Sequence, residues 1–269
     1  MYYDFYGFTE PPFNITPDPR FLFFSEKHRD AFNHLLFGLR ERKGFIQITG
    51  EIGAGKTTIC RALLQQLEPE KYRTALVLNP HMSNIQLLRT VLREFKLKSG
   101  GNDRVLLLER LNNFLLDECA ADRDVVLIVD DAQAMTVEAL EQLRLLSNLE
   151  TDQRKLLQII LIGQPELRDQ LAQLEQLRQR ITVRYHLRPL RLEETAYYIQ
   201  HRLNVAGSSR PPVFTRWAVR AVQRYSRGVP RLINAVCDKT LLCGYVDQTH
   251  DLRLRQVRRA IGELEGDLA

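Results

Sequence analysis

No apolar run in the 269 residues approaches the 18 or more that a membrane span needs. The N-terminal MYYDFYGF is aromatic and acidic, without the basic-then-apolar pattern of an export signal. Both absences predict a cytoplasmic protein with no direct membrane insertion. Cysteine is scarce: Cys60, Cys119, Cys237 and Cys243 form no CxxC pair and no metal spacing with histidine, which reads as free thiols in a reducing compartment. Internal repeats and low-complexity tracts are also missing, excluding a solenoid or a disordered tail.

What is present is a regular alternation. Short apolar runs at Phe45–Thr49, Thr74–Leu78, 125–129, Leu156–Ile162 and Thr182–Leu187 are separated by helical patterns. Those helices fall at Lys56–Leu67, 84–95, 104–120, 136–147 and 166–176. Such an order predicts an α/β fold with a parallel sheet covered on both faces. After Pro189 only helices follow, near 192–206, 214–225, 230–246 and 252–264. The first forty residues mix aromatics with turn residues and then give a helical pattern from Ser25 to Arg40. The expected division is an N-terminal segment 1–43, an α/β domain 44–189 and a small helical domain 190–269.

The run Gly50, Glu51, Ile52, Gly53, Ala54, Gly55, Lys56, Thr57 fits G-x-x-x-x-G-K-[ST] between a predicted strand and helix. Glycines let the loop curl so that backbone N–H groups point at phosphates, and the helix dipole adds to the attraction. Lys56 is expected on the β- and γ-phosphates and the Thr57 hydroxyl on Mg²⁺. The stretch VVLIVDDAQ (125–133) runs five apolar residues into two acids, an arrangement that is costly to bury without a cation. Asp130 is then the residue that holds the Mg²⁺ shell, and Asp131 the general base that polarises water; a turn or capping acid is the bland alternative for Asp131. No N-K-x-D string for reading guanine occurs, so ATP is the expected nucleotide.

These residues resemble an AAA+ ATPase, and more narrowly the ExeA/GspA-type family: ATPase portions of type II secretion proteins and MshM proteins of type IV pilus systems. The resemblance runs through FYGFTEPPFNITPDPRFLFFS (5–25), GEIGAGKTT (50–58, ending at Thr58), LRLLSNLETD (143–152), IGQPELR (162–168), LRQRITVRYHLRPL (177–190) and GVPRLIN (228–234). It implies a five-stranded parallel sheet with a helical lid. It also implies that Gln164 is the sensor-one group on the γ-phosphate or water, and that Arg231 is sensor two. Arg178 or Arg180, with Arg180 preferred, is implied as the finger acting on a neighbouring subunit's ATP, hence a ring or helical oligomer. Phe13 with Pro17 and the helix beginning near His28 would enclose the adenine. His28 and His34, six apart, share no helical face for a metal and read as surface or capping histidines.

One position departs from the family, which has Asp-Glu-Ala-Gln where this chain has Asp130-Asp131-Ala132-Gln133. Aspartate is one methylene shorter than glutamate, so normal nucleotide affinity with slow turnover is expected. The family reading is an ATPase supporting a secretion or pilus-like envelope system through a protein partner. Secretion-type members continue into a membrane helix and a peptidoglycan-binding domain. This chain ends at Ala269 after the lid, so either the expected membrane link is peripheral and through a partner, or the chain is a fragment. The alternative is an ATP-dependent regulator on duplex DNA, as in the related TniB/TnsC transposition ATPases. Charge is compatible with it: residues 184–269 hold 15 Lys and Arg against 8 Asp and Glu.

Overall fold

The computed structural model of the chain describes residues 2–14, 18–151, 154–208 and 210–266. The chain divides into two compact units. One is Arg29–Gly50 with Ile59–Leu187; the other is Met1–His28, Glu51–Thr58 and Arg188–Ala269.

The first unit is built on five parallel strands: β1 (Phe45–Gly50), β2 (Tyr72–Val77), β3 (Asp124–Val129), β4 (Leu157–Gly163) and β5 (Ile181–Leu187), in the order β2-β3-β4-β1-β5. Its central strands are buried along their length, as β-branched and leucine-rich runs covered on both faces require. Alternation sorts their side chains. Val125, Leu127, Val129, Leu157, Ile159 and Leu161 face a cluster with α4 (Asn84–Glu94), α5 (Arg104–Ala120), α6 (Val137–Leu146), α7 (Glu166–Gln173) and α8 (Glu175–Arg180). Val126, Ile128, Ile46, Ile48 and Ile160 point the other way and are equally buried, as are Leu35 and Leu39 of α2 (Glu26–Arg40) and Ile59 and Leu63 of α3 (Lys56–Gln66).

Helix starts are written locally. Ser83 caps α4 in a capping box with Gln86, and Asp103 accepts from Val105 N at 2.9 Å at the start of α5. The predicted single helix over 166–176 is two: Leu174, at φ −104° and ψ 73°, breaks it, and the second piece runs to Arg180 and straight into β5. A short 3₁₀ turn, Ala132–Ala134, lies between β3 and α6.

The second unit packs α9 (Leu192–Val205), α10 (Arg216–Ser226), α11 (Pro230–Val246) and α12 (Leu254–Glu265) around one apolar cluster. A two-residue parallel pairing, β6 (Val213–Phe214) with β7 (Asp251–Leu252), closes it; so short a ladder has no periodicity to read in the sequence. The N-terminal aromatics enter the same cluster. Tyr6 of α1 (Tyr2–Tyr6), Phe8, Phe13 and Phe21 pack with Leu190, Tyr198, Ile199 and Leu203. Arg202 fastens them: its Nε donates to the Pro12 carbonyl at 2.6 Å and its Nη2 to that of Asn14 at 2.9 Å, while the guanidinium lies 4.4 Å from the Phe21 ring centre. Partners on all sides offset the cost of burying that charge.

Tyr6 is fully buried and shares its hydroxyl proton between the carbonyls of Leu241 (3.2 Å) and Thr249 (3.1 Å). Truncation by Tyr6→Ala is expected to cost about 3–5 kcal/mol in denaturant unfolding, and Tyr6→Phe about 1 kcal/mol. An alanine variant as stable as the wild type would show that the N-terminal helix is not part of this core.

Candidate nucleotide site

The register of the sheet brings the C-terminal ends of three strands side by side. Thr49 of β1 pairs with Gly163 of β4, and Val129 of β3 with Leu161. Gly50, Asp130 and Gln164 therefore share one edge, where ligands of open parallel sheets bind.

Asp130 follows five fully apolar residues and is itself buried, 5% exposed. Its Oδ1 accepts from Asp131 N at 2.9 Å. Asp131 is exposed and left-handed, at φ 53° and ψ 35°, a region aspartate enters more easily than most residues because its short side chain bonds locally. Gln133 then does what no sequence spacing announced. Its Nε2 donates to Asp131 Oδ1 at 3.2 Å and its Oε1 accepts from Gln164 N at 2.9 Å. Gln170 Nε2, from α7, donates to the Gln133 carbonyl at 3.0 Å. One amide thus links the second acid to the end of β4. A Cβ at position 163 would lie 2.7 Å from Leu167 Cδ2 and 3.0 Å from Gln133 Oε1, so both side chains would have to shift. Nearby Cys60 is inert: burial, then the Asp130 carboxylate, pushes its thiol up to about 12, against a smaller opposing pull from Arg61.

The glycine-rich loop belongs to the helical unit. Gly53 (φ +78°) and Gly55 (φ +100°) both take conformations that other residues resist, and Ala54 N donates to the Glu51 carbonyl at 3.1 Å. Lys56 is buried, its ammonium donating to the Glu51 carbonyl at 2.9 Å, while Thr57 and Thr58 are half-buried on the first turn of α3. Ile52 is exposed. Two groups hold the loop from outside. Arg231 N, in the first turn of α11, donates to the Gly53 carbonyl at 3.3 Å, and a Cβ on Gly53 would lie 2.4 Å from Arg231 Cβ. The Arg231 side chain itself is exposed.

The other group is His28. The surface reading of this residue is overturned: it is 3% exposed, three residues after the Ser25 N-cap. Its Nε2 lies 3.1 Å from the Ala54 carbonyl and its Nδ1 2.7 Å from Ser25 Oγ. A carbonyl can only accept, so Nε2 carries the proton and Nδ1 accepts from the serine. Burial holds the imidazole pKa below its ordinary value, with the Ala54 hydrogen bond and Glu194 opposing. His34 is exposed, its ring on the Asp30 carbonyl.

The remaining expected residues are distributed as follows. Phe13 is 2% exposed, edge-on to Phe214 in the helical core, and presents almost no surface to a ligand; Pro17 lies outside the described residues. Arg180 Nη1 donates to Ser147 Oγ at 3.0 Å and to Asn148 Oδ1, so the end of α6 holds its guanidinium. Arg178 is exposed, and among the described residues its guanidinium has no hydrogen-bond or ion-pair partner. Thr57 and Asp130 offer a hydroxyl and a carboxylate, the hard oxygen donors that Mg²⁺ takes alongside phosphate. The donor chemistry therefore fits the implied metal.

Sheet order, phosphate loop and strand-end acid together define a P-loop ATPase of the AAA type. A family model described as "AAA domain" matches residues 39–171. The chain is similar to an ExeA/GspA-type protein: it is 45% identical over 271 residues to General secretion pathway protein A of Aeromonas hydrophila, a match covering 99% of this chain and 49% of that protein. It thus spans about half the length of that relative. Among solved structures, the Aeropyrum pernix ORC2 protein with ADPNP and ADP is similar with a TM-score of 0.68 at 16% identity, covering 95% of this chain and 72% of that one. The Thermotoga maritima RuvB Holliday junction branch migration motor gives 0.58 at 16%, covering 88% and 68%. At such identities the likeness is one of fold. Among the described residues no helix is long and apolar enough to cross a membrane.

If Gln133 fixes Asp131 relative to the end of β4, Gln133→Ala should lower ATP turnover about tenfold, an interaction of roughly 1.4 kcal/mol in the transition state. ADP affinity should change less than about twofold, that is, by under roughly 0.4 kcal/mol. Steady-state kinetics beside a binding titration would check this, and unchanged turnover would refute it.

Proposed function

We propose that this protein binds and hydrolyses ATP, assembles with further copies when ATP is bound, and supports assembly of a secretion or type IV pilus-like envelope system. The observation that carries the reading is the complete loop Gly50–Thr57, curled by two positive-φ glycines, in a chain 45% identical to a general secretion pathway protein. In this reading the loop N–H groups and Lys56 bind the triphosphate, and Thr57 and Asp130 hold Mg²⁺. The metal would supply charge neutralisation on the phosphates. Asp131, oriented by Gln133, takes the proton of the attacking water, and Gln164 orients that water or the γ-phosphate. Arg231 reaches the γ-phosphate from α11. Arg178, with its uncommitted guanidinium, is a better trans-acting finger than Arg180, which Ser147 and Asn148 hold. Phe13 can only back an adenine site from within the core.

Aspartate at 131 leaves the carboxylate about 1–1.5 Å short of the reach of glutamate, and a misplacement of that size can cost on the order of a hundredfold. Asp131→Glu should therefore raise ATP turnover, while losing about 1 kcal/mol of stability because glutamate suits the left-handed backbone less. Lys56→Ala should abolish nucleotide binding. A glutamate variant no faster than the wild type would sink the geometric account of slow turnover.

A second reading, a duplex-DNA regulator, has one observation in its favour. Arg216, Arg220 and Arg224 stand at four-residue spacing along α10, about 6 Å apart along its axis, with Arg227 beyond its end. Trp217 beside them is 62% exposed, with Arg220 4.8 Å from its ring centre. No carboxylate pairs with Arg216, Arg224 or Arg227 among the described residues, whereas Arg253, Arg255 and Arg259 all pair with acids. If this stripe lies on DNA, affinity in the presence of ATP should fall steeply with salt. Replacing the three α10 arginines by alanine should make the log–log slope shallower by about 2–3. Absence of duplex binding at low salt removes the reading.

A further inference from the structure

The Ala54 carbonyl lies between the two positive-φ glycines of the phosphate loop, on a residue only 1% exposed. A loop that turns its N–H groups inward at an anion must turn carbonyls outward. An outward carbonyl that water cannot reach needs a protein donor. The group within reach is the His28 ring, at 3.1 Å. Its packing is as tight as its hydrogen bond, since a Cβ on Gly55 would lie 3.0 Å from His28 Nε2.

What makes the ring a donor at Nε2 is Ser25. As N-cap of α2, Ser25 Oγ accepts from His28 N at 3.3 Å, so its own proton is directed to Nδ1 at 2.7 Å. The serine thus fills the proton-accepting nitrogen and leaves Nε2–H for the loop. Of the charged groups, Glu194 of α9 acts on the ring, and burial keeps the imidazole neutral.

We propose that His28, held by Ser25 as the neutral Nε2–H tautomer, is a positioning residue for nucleotide binding: it fixes the Ala54 carbonyl outward and thereby presets the inward N–H groups of the phosphate loop. This rests on the ATP reading above and adds to it a residue outside the loop, 26 positions upstream of Ala54 in the chain. The chain segment leading into α2 and the phosphate loop then move as one piece, so a change in that segment is felt at the phosphates.

The test compares wild type, His28→Gln, His28→Leu, Ser25→Ala and Lys56→Ala in binding to ADP. Glutamine keeps both a cap acceptor and an N–H donor, whereas leucine keeps bulk and loses the donor. His28→Leu should weaken ADP binding about tenfold, Ser25→Ala should weaken it less, and His28→Gln should restore most of the affinity. In ¹⁵N spectra of the folded wild type, the His28 ring should show the neutral Nε2–H pattern near neutral pH and shift when ADP is added. His28→Leu binding ADP as tightly as the wild type would overturn the proposal, with Lys56→Ala non-binding as the control that leaves the ATP reading standing. An Nδ1–H or doubly protonated ring would also overturn it, even if the leucine variant fails to fold. No ADP binding by the wild type would overturn the proposal and the ATP reading together.

Discussion

The buried Ala54 carbonyl of the phosphate loop is the constraint on which the arrangement of that loop depends. The loop satisfies the Glu51 carbonyl itself, from Ala54 N and the Lys56 ammonium, but the carbonyl of buried Ala54 needs a donor from outside the loop. The helical unit supplies the missing partners: the His28 ring on Ala54 and the Arg231 backbone on Gly53. This explains why Glu51–Thr58 belongs with the N-terminal segment and the C-terminal helices rather than with the strand it continues. It also explains the glycines twice over. Gly53 and Gly55 are required by backbone angle, and independently by the closeness of Arg231 and His28.

At the sheet edge the problem is different. Asp130 is a buried acid just past an apolar strand, held by its N–H on the Val77 carbonyl at 2.9 Å and by the Asp131 N–H on its Oδ1. Asp131 lies one residue later, past the end of regular pairing, and would be loosely placed without help. Gln133 supplies the help by bonding to it and to the backbone at Gln164. Placing an acid through a side-chain amide is softer than placing it by a strand. The same hydrogen bonds that orient Asp131 also tie it to a left-handed backbone that favours aspartate.

Charge in the helical unit is sorted by secondary structure. Arg255 and Arg259 of α12 pair with Asp247 and Glu263, and Arg253 before it with Asp251, so these three act as ordinary surface pairs. Arg202 is taken into the core by carbonyls. Among the described residues, the α10 arginines stand together without a carboxylate partner. The net charge of residues 184–269 therefore overstates how much of this unit is available to an anionic partner.

The sequence by itself determined the fold class and marked the phosphate loop and the strand-end acids as the candidate site. Strand runs such as VVLIV and the G-x-x-x-x-G-K-T loop are local signals, because burial on both faces and positive φ each demand particular residue types at the position itself. The bounds of the helices near 84–95 and 104–120 were legible from their apolar patterns to within a residue. The break at Leu174 and the two-residue β6–β7 pairing were not, because neither has enough residues to show a period. Nor could spacing reveal that His28, readable only as a capping or surface histidine, sits on a carbonyl 26 residues away. Gln133 stood in plain view inside DDAQ, yet its partners lie on another strand. Only the tertiary structure decided those contacts, since a hydrogen bond between distant segments depends on register and packing, which leave no mark at either residue alone.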